Sequence, residues 1–174
     1  MLARRSGRIV NVSSIGGRVT FPFFGAYHAS KYAVEALSDC LRMEAAPLGV
    51  SVSLVEPGPI RSGFSNRSVA VVEKVARPDS PWASVYARAS EVQAASDSIA
   101  FDPIHTSRAI ERAATARWPR ARYVVPGILA PVVAIMRWLP TRLFDFILRR
   151  AGGLTAKKLA APPATVKAIE GRAS

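Results

Sequence analysis

Tyr27 and Lys31 have the residue types and spacing that could carry chemistry in this sequence. They stand four positions apart at the start of an apolar, helix-like segment, and side chains four apart share one face of an α-helix. A free phenol is a poor acid or base at neutral pH, but a nearby ammonium stabilises its phenolate. The pair could therefore transfer a proton. The same spacing also occurs by chance in many helices, where the tyrosine packs on the core and the lysine extends along it.

Two predicted strands flank the helix that carries this pair. The segment GRIVNVSS at 7–14 favours a buried strand because it is rich in β-branched residues. A helical pattern follows over 27–46 and is ended by Pro47 and Gly49. A second apolar strand is predicted over 50–55, stopped by Pro57. Strand, helix and strand in this order form a βαβ crossover, which builds a parallel sheet. The sequence therefore predicts an α/β fold.

The predicted helix carries two apolar rows, so we expect it to be buried on more than one face. One row comprises Ala33, Leu37, Cys40 and Leu41, and the other comprises Ala29, Ala36 and Met43.

Ser14 and the Pro57-Gly58 pair stand at the carboxyl ends of the two predicted strands. In open parallel sheets, ligands bind outside the carboxyl ends of the strands. We therefore expect Ser14, Tyr27 and this turn to meet in one crevice, where Ser14 could hold a carbonyl oxygen that Tyr27 protonates. Gly58 would allow a flat ring to approach the backbone. Each feature taken alone is also explained by an ordinary strand end.

The remaining segments are predicted more coarsely. A mobile or short-helical insertion is expected over 65–103. A helix should follow over 102–117, with Asp102 as its cap and Pro103 in its first turn. A short strand, a short amphipathic helix and a disordered basic tail are predicted over 121–127, 140–153 and 151–174. The apolar face of the 102–117 helix should comprise Ile104, Ala109, Ile110 and Ala113.

Composition limits the classes of function. The formal net charge is +12, and from residue 104 onward 13 lysines and arginines face 3 acidic residues. This field favours anionic partners, or it is simply a solvated basic surface. No nucleic-acid motif accompanies it. One cysteine and two isolated histidines argue against a disulfide framework and a metal site, and favour a reducing, cytoplasmic compartment.

The apolar region over 123–148 has two interpretations. Its most apolar part, 123–136, is too short for a membrane span and contains two prolines. Its arginines suit a segment that lies on a membrane surface. Alternatively, its first part is a core strand followed by a covering helix.

Three motifs in order, GRIVNVSSIGG, YHASK and EPGPIRS, resemble the second half of the short-chain dehydrogenase/reductase family. The resemblance implies part of a Rossmann-like, doubly wound parallel sheet and hydride transfer between NAD or NADP and an alcohol or ketone. Residues 1–150 would be the C-terminal portion of the dinucleotide-binding domain, and 65–103 its variable substrate loop. Two later segments, RARYVVPG and RWLPTRLFDFILRR, are similar to members acting on steroid-, retinoid- or lipid-like substrates.

The resemblance also implies roles for individual residues. Tyr27 would be the general acid/base, Lys31 would stabilise its phenolate and bind the nicotinamide ribose, and Ser14 would hold the substrate oxygen. The nicotinamide would be lined by Pro57, Gly58 and Ile60, and contacted by Ser62, where the family usually has threonine. The helix over 27–46 would contribute to a homodimer interface.

The glycine-rich T-G-x-x-x-G-x-G turn of the family, which cradles the pyrophosphate, is not found in this sequence. We therefore expect the isolated chain to be truncated, to bind NAD(P) poorly and to turn over slowly or not at all. The alternatives are a non-catalytic fragment that acts as an interaction module and a peripheral membrane protein.

Overall fold

The computed structural model describes residues 1–77, 79–155 and 159. Most of the predicted disordered tail, 156–158 and 160–174, lies outside the described residues. The elements in chain order are β1 Gly7–Val12, α1 Gly25–Ala45, β2 Val50–Pro57, α2 Phe64–Val75, α3 Ala83–Tyr86, α4 Ala89–Ser98, α5 Pro103–Thr115, β3 Arg122–Val125, α6 Leu129–Trp138 and α7 Thr141–Ala151.

The three strands form one parallel sheet in the order β1-β2-β3. Ile9 pairs with Val52, and Leu54 pairs with Arg122. Helix α1 connects β1 to β2, as a parallel pair requires. The predicted α/β class and βαβ unit are confirmed.

Strand β2 is the centre of the core, because it has a partner strand on each side and helices on both faces. Val50 and Val52 pack with Ala45 of α1, and Val55 packs with Ala109 of α5. Burial on both faces explains why β2 reads as a nearly continuous apolar run. The strand extends through Glu56 and Pro57, two residues beyond the predicted end.

The expectation that both apolar rows of α1 are buried is wrong for this chain. Leu37 is 70% exposed and Met43 is 67% exposed. The helix instead buries the polar residues His28, Glu35 and Ser38, together with Ala45. Hydrophobic periodicity could not identify this face, because partners elsewhere in the chain satisfy the buried polar groups.

Helix α5 begins as predicted. The side chain of Asp102 accepts a hydrogen bond from Ile104 N at 2.8 Å, and Pro103 occupies the first turn. Ala109 and Ala113 are buried, whereas Ile104, predicted on the same face, is 46% exposed.

The chain divides into two compact units. The first comprises Met1–Ile60 and Phe101–Pro140 and contains the sheet. The second comprises Arg61–Ala100 and Thr141–Ser174. It includes α2, α3 and α4, which agrees with the short-helical interpretation of 65–103.

Candidate functional site

Ser14 caps a 3-10 turn, Ile15–Gly17, directly after β1. Its hydroxyl accepts a hydrogen bond from Gly16 N at 3.0 Å and donates one to Pro57 O at 3.3 Å. The second bond joins the carboxyl end of β1 to that of β2. Ser14 and the Pro57-Gly58 turn are therefore adjacent, as predicted.

Tyr27 and Lys31 lie on one face of α1. Lys31 Nζ is 6.0 Å from the centre of the Tyr27 ring and donates a hydrogen bond to Val12 O at 3.3 Å. The ammonium is thus at the carboxyl end of β1, two residues before Ser14. A phenol beside an ammonium in this position is suited to proton transfer.

Gly16 and Gly17 allow the Ser14 turn to lie directly against α1. A Cβ added at Gly16 would be 3.0 Å from Cε1 of Tyr27, and one at Gly17 would be 3.0 Å from Lys31 O. Contacts this close leave no room for a side chain. The two glycines therefore bring Ser14 to Tyr27 and Lys31, a packing role that the sequence did not reveal.

His28 fastens the loop before α1 to the helix. Its Nε2 accepts a hydrogen bond from Phe21 N at 2.9 Å, so Nδ1 carries the proton and donates to Gly16 O at 2.7 Å. The side chain is 4% exposed, and the ring of Tyr27 is 5.6 Å away, centre to centre. Sequence reasoning treated His28 as an isolated histidine; its only signal was its place beside Tyr27.

The other predicted cofactor contacts fall in both units. Pro57 is buried at the end of β2, and a Cβ added at Gly58 would overlap the side chain of Leu129. Gly58 is therefore in close contact with Leu129, and a larger residue there would displace the end of that side chain. Ile60 forms an isolated parallel bridge with Phe101. Ser62 belongs to the second unit and is exposed.

These residues fit the nicotinamide and ribose part of a dinucleotide. An ammonium has three donors, and Lys31 gives one of them to Val12 O. The others and the Tyr27 hydroxyl suit the hydroxyl groups of a ribose. Pro57, Gly58 and Ile60 would lie along the flat ring.

A cluster of charged side chains, which the sequence also did not reveal, joins the turn after Ser14, β2, β3 and α1. Glu56 is 0% exposed. It accepts hydrogen bonds from Arg18 Nη1 at 3.1 and 3.2 Å, and its Oε1 is 2.9 Å from Arg122 Nε. Arg122 Nη2 also donates to Asp39 at 2.7 Å and to Glu35 at 3.1 Å. We call Arg18, Glu35, Asp39, Glu56 and Arg122 the charge cluster.

Three residues of the charge cluster have shifted pKa values. Burial, with the neighbouring Glu35 carboxylate, raises the pKa of Glu56 against the opposing effect of the two arginines. Burial acts to raise the pKa of Asp39 too, but hydrogen bonds from Arg122 and Arg42 outweigh it and lower that pKa. Burial acts to lower the pKa of Arg122, yet Asp39 and Glu35 hold it above its usual value.

Comparisons with known proteins agree with this fold. The sequence model of the family described as short chain dehydrogenase matches residues 1–72. The chain is 37% identical over 149 residues to an uncharacterized oxidoreductase, YbbO, of Escherichia coli (strain K12), covering 86% of this chain and 51% of that protein. It is 35% identical over 167 residues to 17-beta-hydroxysteroid dehydrogenase type 6 of Homo sapiens, covering 87% and 50%.

A solved structure gives the same result. A short-chain dehydrogenase from Streptomyces avermitilis superposes with a TM-score of 0.56 at 29% identity, covering 77% of this chain and 47% of that one. The chain thus spans about half the length of the curated relatives it matches. On the motifs, the parallel sheet and these matches, the chain belongs to the short-chain dehydrogenase/reductase family.

Proposed function

We propose that this chain supplies the substrate side of an oxidoreductase site that uses NAD or NADP and acts on an alcohol or ketone. One observation carries the proposal: Ser14, Tyr27 and Lys31 meet at the carboxyl ends of β1 and β2, beside the Pro57-Gly58 turn. When bound, the nicotinamide supplies or accepts the hydride.

Tyr27 moves the proton. In the direction of reduction, its hydroxyl donates a proton to the carbonyl oxygen, and the phenolate that remains is stabilised by the Lys31 ammonium. In oxidation, the phenolate takes the proton from the alcohol. Lys31 also binds the nicotinamide ribose, together with the Tyr27 hydroxyl.

Ser14 orients the substrate oxygen. Its proton now points to Pro57 O over a long, 3.3 Å hydrogen bond, which is weak and can be exchanged for a bond to a substrate carbonyl. The bond from Gly16 N fixes the position of the Ser14 oxygen while its proton turns. Substrate binding thus requires a hydroxyl rotation and no movement of the backbone.

A lipophilic substrate, of steroid-, retinoid- or lipid-like size, is the substrate class we favour. The 35% identical human relative is named as a hydroxysteroid dehydrogenase. By the family resemblance, the segment over 65–103 corresponds to the variable substrate-binding loop. Exposed Val71 on α2 and Trp82 before α3 provide apolar surface of the kind such a substrate needs.

The test is an assay of hydride transfer with NADH and NADPH against a panel of lipophilic ketones. We expect the 174-residue chain alone to bind either cofactor weakly and to turn over slowly or not at all. A fusion to the half of the Escherichia coli relative that the chain does not match should bind one cofactor and reduce a ketone. Micromolar cofactor binding by the chain alone would contradict the first expectation. A fusion that folds but binds neither cofactor would favour a non-catalytic interaction module.

A second copy of the chain is the partner we propose for the exposed apolar face of α1. Tyr32, Leu37 and Met43 are 42%, 70% and 67% exposed along this helix. Sedimentation should show a dimer, and Leu37→Arg should convert it to a monomer because a buried, unpaired charge is costly. A monomeric wild-type chain would refute this interface.

Binding to a membrane surface is the second function we propose, and helix α7 would make the contact. Its exposed Leu143, Phe146 and Ile147 are spaced for one helix face. Arg142, Arg149 and Arg150 accompany them against one acidic residue of the helix, Asp145. An apolar face with flanking arginines suits anionic lipid. Within the described part of the chain, none of the helices combines the length and apolarity needed to cross a bilayer.

Vesicle flotation tests the membrane proposal. The chain should bind vesicles containing anionic lipid more than zwitterionic ones, and Phe146→Gln should lower the bound fraction severalfold. Val71→Gln is the matched control, since Val71 is also 60% exposed but lies on α2. Equal binding to both kinds of vesicle, or an unaltered Phe146→Gln variant, would refute it.

A further inference from the structure

We propose that Arg18, Glu56 and Arg122 are positioning residues that hold the Ser14 turn, the Pro57-Gly58 turn and the Tyr27 face of α1 in one fixed register. The positioning role rests on the proposed function of those groups. The register itself is a property of the structure and can be measured without activity.

The first link joins the two turns. Arg18 ends the 3-10 turn that Ser14 begins, and Glu56 directly precedes Pro57 in β2. The guanidinium of Arg18 bonds both carboxylate oxygens of Glu56 through one nitrogen, at 3.1 and 3.2 Å. Because Glu56 is 0% exposed, its carboxylate is stabilised by these protein partners and not by solvent. The Ser14 turn is therefore tied to β2 at a second point besides the long hydrogen bond from Ser14 to Pro57.

The second link joins the turns to α1. Arg122 of β3 contacts Glu56 through Nε at 2.9 Å. Its Nη2 bonds both oxygens of Asp39 at 2.7 Å and Oε2 of Glu35 at 3.1 Å. A change in the rotation or translation of α1 would break these bonds.

The residues that Arg122 holds on α1 continue the row of the proposed proton-transfer pair. Tyr27, Lys31, Glu35 and Asp39 follow one another at four-residue steps, so they form one stripe on the helix. The upper half of the stripe, Tyr27 and Lys31, lies against Gly16 and Val12 O. The lower half, Glu35 and Asp39, is bonded by Arg122 of β3. Fixing the lower half therefore fixes the direction in which the upper half points.

Stability alone does not account for the charge cluster. Removing charges from water is costly, and apolar residues of similar volume often give an equally stable protein. An arginine between carboxylates fixes their relative positions, because its planar guanidinium donates hydrogen bonds in only a few directions. A site assembled from three separate chain segments requires such fixed relative positions.

Hydrogen exchange of the Ser14 turn is the measurement that tests the proposal. The amides of residues 16–19 are bonded to Ser14 Oγ, Ser14 O and Ile15 O, so they report the order of the turn. In the 174-residue chain, Arg18→Met should raise their exchange rates about tenfold or more, with the rates of the β2 amides unchanged. Arg77→Met is the matched control, since Arg77 forms an exposed ion pair with Asp79 at 3.0 Å.

Two outcomes would overturn the proposal. Unchanged exchange in the turn would show that the ion pairs do not hold it, and a uniform rise in exchange across β2 would show a merely structural role.

If Arg18→Met does not fold, Arg122→Lys is the second test, because it keeps the charge and loses the planar guanidinium. That variant should also raise the exchange rates of the amides of residues 16–19. Wild-type protection of these amides would refute the proposed positioning role. If the wild-type chain proves inactive even in the fusion, the proposed function fails while the exchange result still stands.

Discussion

Tyr27→Phe should lower kcat between about a hundredfold and ten-thousandfold, the range that a general acid/base contributes. Phenylalanine retains the ring, which packs beside Gly16 and His28, and removes the hydroxyl that carries the proton. The fold and KM for the ketone should therefore change little. Turnover is measured by the oxidation of reduced nicotinamide, in the fusion if the chain alone is too slow.

Tyr32→Phe is the control for this loss. Tyr32 is on the same helix, but it is 42% exposed and lies five residues after Tyr27, away from the Ser14 turn. It should keep wild-type kcat. A Tyr27→Phe enzyme with more than half of wild-type kcat would refute the role of Tyr27, whatever the fold.

His28→Leu should lower the free energy of unfolding by about 2–4 kcal/mol. Leucine is similar in size but leaves Phe21 N and Gly16 O without the partners they have at 2.9 and 2.7 Å. Loss of the partner costs about 1–3 kcal/mol for a buried group such as Gly16 O and less for Phe21 N, since Phe21 is 36% exposed. The urea midpoint, followed by circular dichroism, measures the effect.

The other histidine provides the matched comparison. His105 is exposed on α5, so His105→Leu should change the free energy of unfolding by less than about 0.5 kcal/mol. Equal stability of the two variants would mean that the hydrogen bonds of His28 do not hold the loop to α1.

Local signals predicted much of the fold. β-branched runs, the Asp102 cap with Pro103, and the breaks at Pro47 and Gly49 act within a few residues of the elements they define. Gly49 illustrates the point, because it closes the turn after α1 with a φ of 72°, which glycine adopts readily. The grouping of Ser14 with Tyr27 followed from the topology of a parallel sheet.

The parts that could not be predicted depend on distant partners. Arg122 meets Glu35 across 87 positions of sequence, and Arg18 meets Glu56 across 38. Nothing in the local pattern around any of them fixes such a pairing. A glutamate directly after the apolar and small residues of β2 was a signal of a buried partner, since a buried charge is costly unless it is paired. The buried polar face of α1 could not be read from hydrophobic periodicity for the same reason.

The sharing of Arg122 among three carboxylates constrains how this sequence can change over evolutionary time. Loss of Arg122 would leave the fully buried Glu56 with Arg18 as its one cationic partner in the described part of the chain, and it would remove the guanidinium that Glu35 and Asp39 share. A single substitution at one of these positions is then harmful, even where simultaneous substitution of all of them would be tolerated. We expect positions 18, 35, 39, 56 and 122 to covary as one unit among related sequences, so that lineages exchange the whole charged set or retain all of it.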